Sequence, residues 1–376
     1  MHFACTQENL LQGLSLVSHI SGKNANLPIL GNVLLKTDAG GLRLSTTNLE
    51  MAVSAQVRGR VEVQGEYTVP AKLLQDYVSL LPSGKVELVV ADDILEVKVD
   101  GSSTTIKGMP SSEFPLIPKL VKDGGYHLKA DLLRAAIGQV AFAVSGSESR
   151  PELSGVACYF HGQSQGALVM AATDSYRLSE RVIQLEGSGI SEESKCIVPA
   201  RAMQEAARIL SSYKDDVGMP ELVEWSVTDS QMVMTYGNVE LISRLIEASF
   251  PDYRQLIPVQ FKTTITLARS EMQKAIRAAS LFSRQGLFDI HFVAKPGEGL
   301  EISSADTGTG AHKTLLKAEI GGDANKVILN FKYISDGLSA MGTDKVSIRM
   351  IDAMNPVVVT PVDQEGMRYI VMPIRQ

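Results

Sequence analysis

Cysteine is scarce in this 376-residue chain: three residues, Cys5, Cys158 and Cys196, widely spaced and without a CxxC pair. That spacing argues against a disulfide framework or a zinc cage and fits a reducing cytoplasm. Aromatic residues make up only 6%, with one tryptophan, Trp225, in a β-patterned stretch where packing is its expected role. No apolar run approaches the ~20 residues of a membrane span. The start, Met1-His2-Phe3-Ala4-Cys5-Thr6, lacks the charged-then-apolar layout of a signal peptide, so a cytoplasmic location is expected. The six histidines are scattered, and neither HExxH nor GxSxG occurs. Thr307-Gly308-Thr309-Gly310-Ala311-His312-Lys313-Thr314 has His312 where a Walker loop needs glycine, and reads as a polar loop. Asp92-Asp93 and Glu192-Glu193 are adjacent carboxylates in turn-like stretches. Neighbours on a strand point to opposite faces, so neither pair makes an acid/base couple. No catalytic residue, metal or cofactor is therefore expected. A net charge of −6 repels nucleic acid overall, and any DNA role needs local sorting of charge.

What is present repeats three times. Helical stripes begin at Thr6-Gln7-Glu8, Asp131-Leu132-Leu133 and Ser270-Glu271-Met272, with Thr6 a plausible N-cap. A second marker is Thr68-Val69-Pro70-Ala71-Lys72, then Ile197-Val198-Pro199-Ala200-Arg201, then Ile328-Leu329-Asn330-Phe331-Lys332. From Val69 to Val198 is 129 residues, and from Val198 to Leu329 is 131. A third marker closes two of the copies: Phe114-Pro115-Leu116-Ile117-Pro118 and Phe250-Pro251-Asp252-Tyr253-Arg254. Alternating strands with tight turns lie between, such as Val86 to Val90, a turn at Asp92-Asp93, then Leu95 to Val99. The unit reads as strand, helix, hairpins, helix, hairpins: an α+β domain with two helices on antiparallel sheet. Helices are expected over 7–20, 71–81, 131–144, 200–212, 270–283 and 331–341, and domains over 1–120, 124–258 and 262–376.

Five segments in order carry a resemblance. They are Leu27-Pro28-Ile29-Leu30-Gly31-Asn32, Thr47-Asn48-Leu49-Glu50-Met51, Met170-Ala171-Ala172-Thr173-Asp174-Ser175-Tyr176-Arg177-Leu178, Phe250-Pro251-Asp252-Tyr253-Arg254, and the end Tyr369-Ile370-Val371-Met372-Pro373-Ile374-Arg375-Gln376. The whole chain resembles the bacterial replicative sliding clamp, the β subunit of DNA polymerase III. That resemblance implies three clamp domains per subunit, joined head to tail as a homodimer into a six-domain ring around duplex DNA, with no membrane partner. A head-to-tail contact that closes generates such a ring. Twelve inward-facing helices at about 10 Å spacing give a circumference of roughly 120 Å and a clear bore of roughly 28 Å. A duplex passes with a layer of water, which suits sliding without base readout.

The resemblance further implies a surface pocket for short linear peptides of polymerase, clamp loader and repair proteins. Carried over by motif, it uses Leu153, Thr173, Ser175, Tyr176, Arg177, Leu178, Pro251 and Leu256, with Asn330, Tyr333, Met354, Pro356, Val371, Met372, Pro373, Ile374 and Arg375. Apolar anchors rimmed by hydrogen-bonding groups suit peptide recognition. Without the resemblance each apolar member reads as core. DNA contacts are expected at Lys23, Asn24, Lys72, Arg134, Arg150, Arg201, Lys274, Arg277 and Lys332, and the dimer interface at Thr104, Ile106, Ser280 and Leu281. The six helices carry seven basic and six acidic residues, so they are slightly positive in an acidic chain. Weakly basic helices suit loose tracking of phosphates. Two departures stand out: Ser175 replaces the glycine common in the family after Thr-Asp, and Lys23 stands in for an arginine some members carry. Two other readings remain open on the residues alone: an enzyme with a site at a domain junction, and a monomeric adaptor of three peptide-binding domains.

Overall fold

The computed structural model describes residues 1–22, 26–118, 124–147, 149–161, 166–188, 193–213 and 218–375. Lys23, Asn24 and Glu192 lie outside them. Six helices stand at the expected places: α1 Gln7–Val17, α2 Ala71–Ser79, α3 Ala130–Val140, α4 Ala200–Ser212, α5 Arg269–Ser280 and α6 Phe331–Ala340. Most end a few residues earlier than their apolar periodicity suggests. α3 tightens into a 3-10 turn, Ala141–Ala143, and α1 stops at Val17. At the end of α1 the guanidinium of Arg208 donates to the carbonyls of Leu16 (2.5 Å) and Ser15 (3.3 Å). Those are terminal carbonyls that a helix leaves without internal partners.

The start signals act through the backbone. Thr6 Oγ1 accepts from the N–H of Asn9 and caps α1. Pro70, Pro199 and Asn330 each end a strand immediately before α2, α4 and α6. In the third copy Asn330 stands at the proline position and caps α6 with its side chain: its Oδ1 accepts from the N–H of Lys332 at 2.9 Å.

The chain divides into two compact units. The first comprises Met1–Asp131, Glu186–Ile190 and Arg208–Leu245; the second Leu132–Leu185, Ser191–Ala207 and Ile246–Gln376. The first unit holds a five-stranded antiparallel sheet, in order Arg60–Val63, His2–Thr6, Lys85–Ala91, Ile94–Val99 and Ser102–Lys107. Its nine-stranded sheet joins strands of the first and middle copies, with Val239–Arg244 pairing Met51–Val57 in the register Leu241↔Val53. Leu10, Leu14, Leu44, Val53, Leu74 and Val78 are fully buried in this unit, where α1 packs on α2. The Asp92-Asp93 turn is a two-residue hairpin with φ of +50° and +56°, the mirror-image turn that right-twisted strands favour.

The second unit repeats the plan. A nine-stranded sheet joins the middle and third copies where Arg177–Gln184 pairs Met367–Val371. A four-stranded sheet runs Gly310–Leu316, Gly299–Asp306, Asp289–Lys295 and Asn325–Asn330. Residues expected to form one polar loop, 307–314, are a short turn followed by that edge strand. Lys313 and His312 there pair across to Ser303 and Ser304, so polarity reflects an exposed strand. Along Met367–Val371 alternate residues serve two clusters: Met367, Tyr369 and Val371 face the core with α5 and α6, while Ile370 joins Ala171, Leu178, Tyr253 and Val358 on the other side. At Gly337 a Cβ would stand 2.2 Å from the ring of Tyr369, so only glycine lets α6 sit this close. Cys158 and Cys196, far apart in sequence, are register partners on adjacent strands. Burial first, and Cys196 second, push the Cys158 thiol pKa up.

Candidate functional site

The peptide-site residues carried over from the resemblance all fall in the second unit, where the middle copy's strands meet the third copy's. Its centre is the turn between Ala167–Thr173 and Arg177–Gln184. Asp174 Oδ1 accepts from the N–H groups of Tyr176 (2.9 Å) and Arg177 (3.0 Å), and Thr173 Oγ1 donates to the Arg177 carbonyl at 2.6 Å. The turn places Ser175 at φ +79°, in the left-handed region that favours glycine. Its backbone N–H donates to Thr173 Oγ1, and its Oγ accepts from Arg150 Nη1 at 3.0 Å.

Arg177 is the hub. Its Nε donates to Asp174 Oδ2 (2.9 Å), Nη1 to Asp336 Oδ2 (2.5 Å) and Nη2 to the Phe142 carbonyl (3.1 Å). The guanidinium carbon lies 4.8 Å from the Tyr333 ring centre and 5.6 Å from that of Phe142. Burial alone would lower its pKa; the hydrogen bond to Asp336 and the neighbouring acids raise it, so the charge is fixed. Burial first, then Asp174, raises the pKa of Tyr333. The Tyr176 ring is 62% exposed and stacks on Tyr333 at 6.4 Å. Side chains from the turn and from α6 thus form one surface, two stacked tyrosines beside an arginine held by two carboxylates.

The C-terminal segment closes the other side. Val371 is the register partner of Arg177, the Met372 N–H donates to the Tyr176 carbonyl at 2.9 Å, and the Ile374 N–H donates to the Ile328 carbonyl at 2.8 Å. Met372, Pro373 and Ile374 are half-buried and Arg375 is exposed, so this segment is pinned by its backbone with its side chains partly free. Leu153 is buried at the end of a one-turn helix, Pro151–Leu153, that follows Arg150. Pro251 is half-buried and Leu256 exposed, flanking Tyr253, which packs with Leu178. Met354 is exposed, Pro356 half-buried, and Val357 pairs Val371. Leu178 itself is 4% exposed, so it serves as a floor. Reading the sequence missed Phe142 and Asp336, which hold Arg177 from 35 and 159 residues away. Asp174 lay inside the quoted motif without being assigned a role.

The expected DNA-facing cations are spread over five of the helices. Lys72, Arg201, Lys274, Arg277 and Lys332 are exposed, on α2, α4, α5, α5 and α6. Lys72 pairs with Asp76 at 3.2 Å, and Lys332 Nζ lies 3.5 Å over the Phe288 ring. Arg134 on α3 is half-buried, and Arg150 stands at the Ser175 turn, paired with Glu152 at 2.9 Å. Thr104 and Ile106 lie on Ser102–Lys107, the end strand of the first unit's five-stranded sheet. Ile106 is 3% exposed, so its side chain is already part of that unit's core, whereas Ser102, Ser103, Thr105 and Lys107 on the same strand are exposed. Ser280 is half-buried at the end of α5, while Leu281 is 73% exposed. Among the described residues no group of three or more His, Cys, Asp or Glu is placed to hold a metal ion, and no helix is long and apolar enough to cross a membrane.

Comparison with known proteins agrees with this architecture copy by copy. Residues 1–118, 127–252 and 254–375 match the family models for the N-terminal, central and C-terminal domains of the DNA polymerase III beta subunit. The beta sliding clamp of Synechocystis sp. is 32% identical over 396 residues, covering 100% of this chain and 99% of the relative. That of Staphylococcus aureus is 26% identical over 385 residues, with the same coverage. Among solved structures, the DNA polymerase III subunit beta of Pseudomonas aeruginosa superposes with a TM-score of 0.92 at 26% identity, covering 100% of both chains. The sliding clamp of Bacillus subtilis also gives 0.92 at 26%, covering 100% of this chain and 99% of that one. A P. aeruginosa clamp bound to griselimycin matches equally well. Three consecutive domain matches and full-length relatives place this chain in the family of DNA polymerase III beta subunits, the beta sliding clamps.

Proposed function

We propose that the chain is a polymerase processivity factor: a non-enzymatic homodimeric ring that encircles duplex DNA and tethers polymerase, clamp loader and repair proteins by their short peptides. The carrying observation is the family match over the whole length, copy by copy, on a chain whose six α-helices among the described residues recur at matching positions. Domain limits at 1–120, 124–258 and 262–376 belong to this reading, as does the cytoplasm.

Two features support a head-to-tail ring. Each unit has a small sheet with an end strand unpaired among the described residues: Ser102–Lys107 in the first and Gly310–Leu316 in the second. Such edges present free N–H and C=O groups that another chain can pair. Leu281 at 73% exposure and Leu315 at 52% supply apolar surface in the second unit. Ser280, Leu281 and Thr104 are then interface positions, with Ile106 supporting its strand from below. DNA is held by charge and topology, through the exposed cations Lys72, Arg201, Lys274, Arg277 and Lys332, helped by Arg134, Arg150, Lys23 and Asn24. Partner peptides lie across the Thr173–Leu178 turn, Tyr333 and the C-terminal segment. One relative is a clamp solved with a bound ligand, griselimycin, which supports a ligand-accepting surface in this family.

The test is solution mass by light scattering. The expected result is twice the mass of the chain at micromolar concentration, falling to a single chain for Leu281→Glu with an unchanged circular dichroism spectrum. A single-chain mass for the unaltered protein would favour the monomeric adaptor instead.

A further inference from the structure

Beside the Leu178 cluster, the nine-stranded sheet of the second unit has a cavity of about 470 Å³ lined by Arg349, Arg368, Thr360, Gln364, Phe261 and Val358. Its two arginines differ. Arg368 pairs with the buried Glu180 at 3.1 Å, and Glu180 also accepts from the Tyr253 hydroxyl at 2.6 Å. Arg349 has no such partner: its Nε is buried without a hydrogen-bond acceptor, and its guanidinium carbon stacks 4.8 Å from the Phe261 ring centre. Glu365, also in the lining, makes no ion pair with Arg349. Burial, and then the charge of Arg368, lower the Arg349 pKa. An arginine fork against an apolar wall, unneutralised, is suited to a carboxylate arriving from outside.

Register fixes where this cavity lies. Leu178 pairs Ile370, Ile370 pairs Val358, and Val358 pairs Arg349, a single row across four strands. Three interstrand steps of about 4.8 Å put Arg349 roughly 14 Å from Leu178, a span that an extended peptide covers in about four residues. The chain segment carrying Leu256 continues directly into Ile257 and Pro258 of the cavity wall. We propose that the Arg349 cavity receives the carboxylate of an acidic residue in a partner peptide, about four residues from the apolar anchors docked at the Thr173–Leu178 turn. This rests on the peptide-docking reading above and adds to it a charge preference.

Fluorescence anisotropy on the full-length protein tests it. The probes are short synthetic peptides with two adjacent leucines and, four residues away on either side, an Asp-Glu pair or the matched Asn-Gln pair. The unaltered protein should bind the acidic peptide of one polarity about tenfold more tightly than its amide twin. Arg349→Met should erase that preference without weakening the amide twin, and Arg349→Lys should keep part of it. Equal affinities on the unaltered protein, or a preference that survives Arg349→Met, overturn the proposal while leaving the docking turn intact. Failure of both peptides to bind overturns the docking turn itself, and this proposal with it.

Discussion

Arg177 and Asp336 are 159 residues apart and meet through a 2.5 Å hydrogen bond that ties the Thr173–Leu178 turn to α6. Arg177 is only 12% exposed while Asp336 is 50% exposed, so the two partners are not equivalent. Arg177→Met should strand Asp174 and the Phe142 carbonyl, lowering stability by about 2–3 kcal/mol, whereas Asp336→Asn should cost about 1 kcal/mol or less. Urea denaturation of the two variants checks the ranking; equal losses would contradict it.

Ser175 sits at φ +79°, a conformation glycine adopts without a Cβ penalty. Ser175→Gly should therefore be neutral or stabilising by up to about 1 kcal/mol, even though it removes the exposed hydroxyl that accepts from Arg150. Ser175→Val should destabilise by more than that. Thermal midpoints of the two variants, measured together, give the sign.

Leu178 is buried and Met372 half-buried at the proposed docking surface. Leu178→Ala with Met372→Ala is expected to lower partner-peptide affinity at least tenfold while the dimer mass stays unchanged. A peptide titration that gives the same affinity as the unaltered protein removes these two residues from the site.

Asp289 supplies a pH test. Burial would raise its carboxyl pKa, but the hydrogen bond and charge of Arg284 hold it below the ordinary 3.8. A depressed native pKa means stability that is fully present above the unfolded value and lost as pH falls through the native one. Asp289→Asn should therefore be less stable than the unaltered protein at pH 7. The difference should close only below about pH 4. A gap that stays constant from pH 7 to pH 2.5 would show that the ion pair is not its source.

Much of this was legible in the sequence, because helix starts are local. Thr6 and Asn330 cap helices with their own side chains, and Pro70 and Pro199 mark where a strand gives way to a helix. The Asp92-Asp93 turn was equally plain. Helix ends were less so: α1 stops where Arg208, almost two hundred residues later, takes up its carbonyls, and no local pattern announces that. The sharing of sheets between copies was invisible too, since Leu241↔Val53 and Arg177↔Val371 pair strands that read alike in isolation. Ile106 shows the same limit from the other side. Position marked it for an interface, yet only packing reveals that its side chain is already enclosed.

Encirclement is a matter of topology, so retention on DNA of changed topology reads it out. The protein is loaded by a clamp loader with ATP onto nicked circular DNA, separated from free protein, and the circle is then cut once. A ring that holds DNA by encirclement stays on the circle and leaves the linear product by its ends. Undiminished retention on linear DNA with free ends would contradict encirclement.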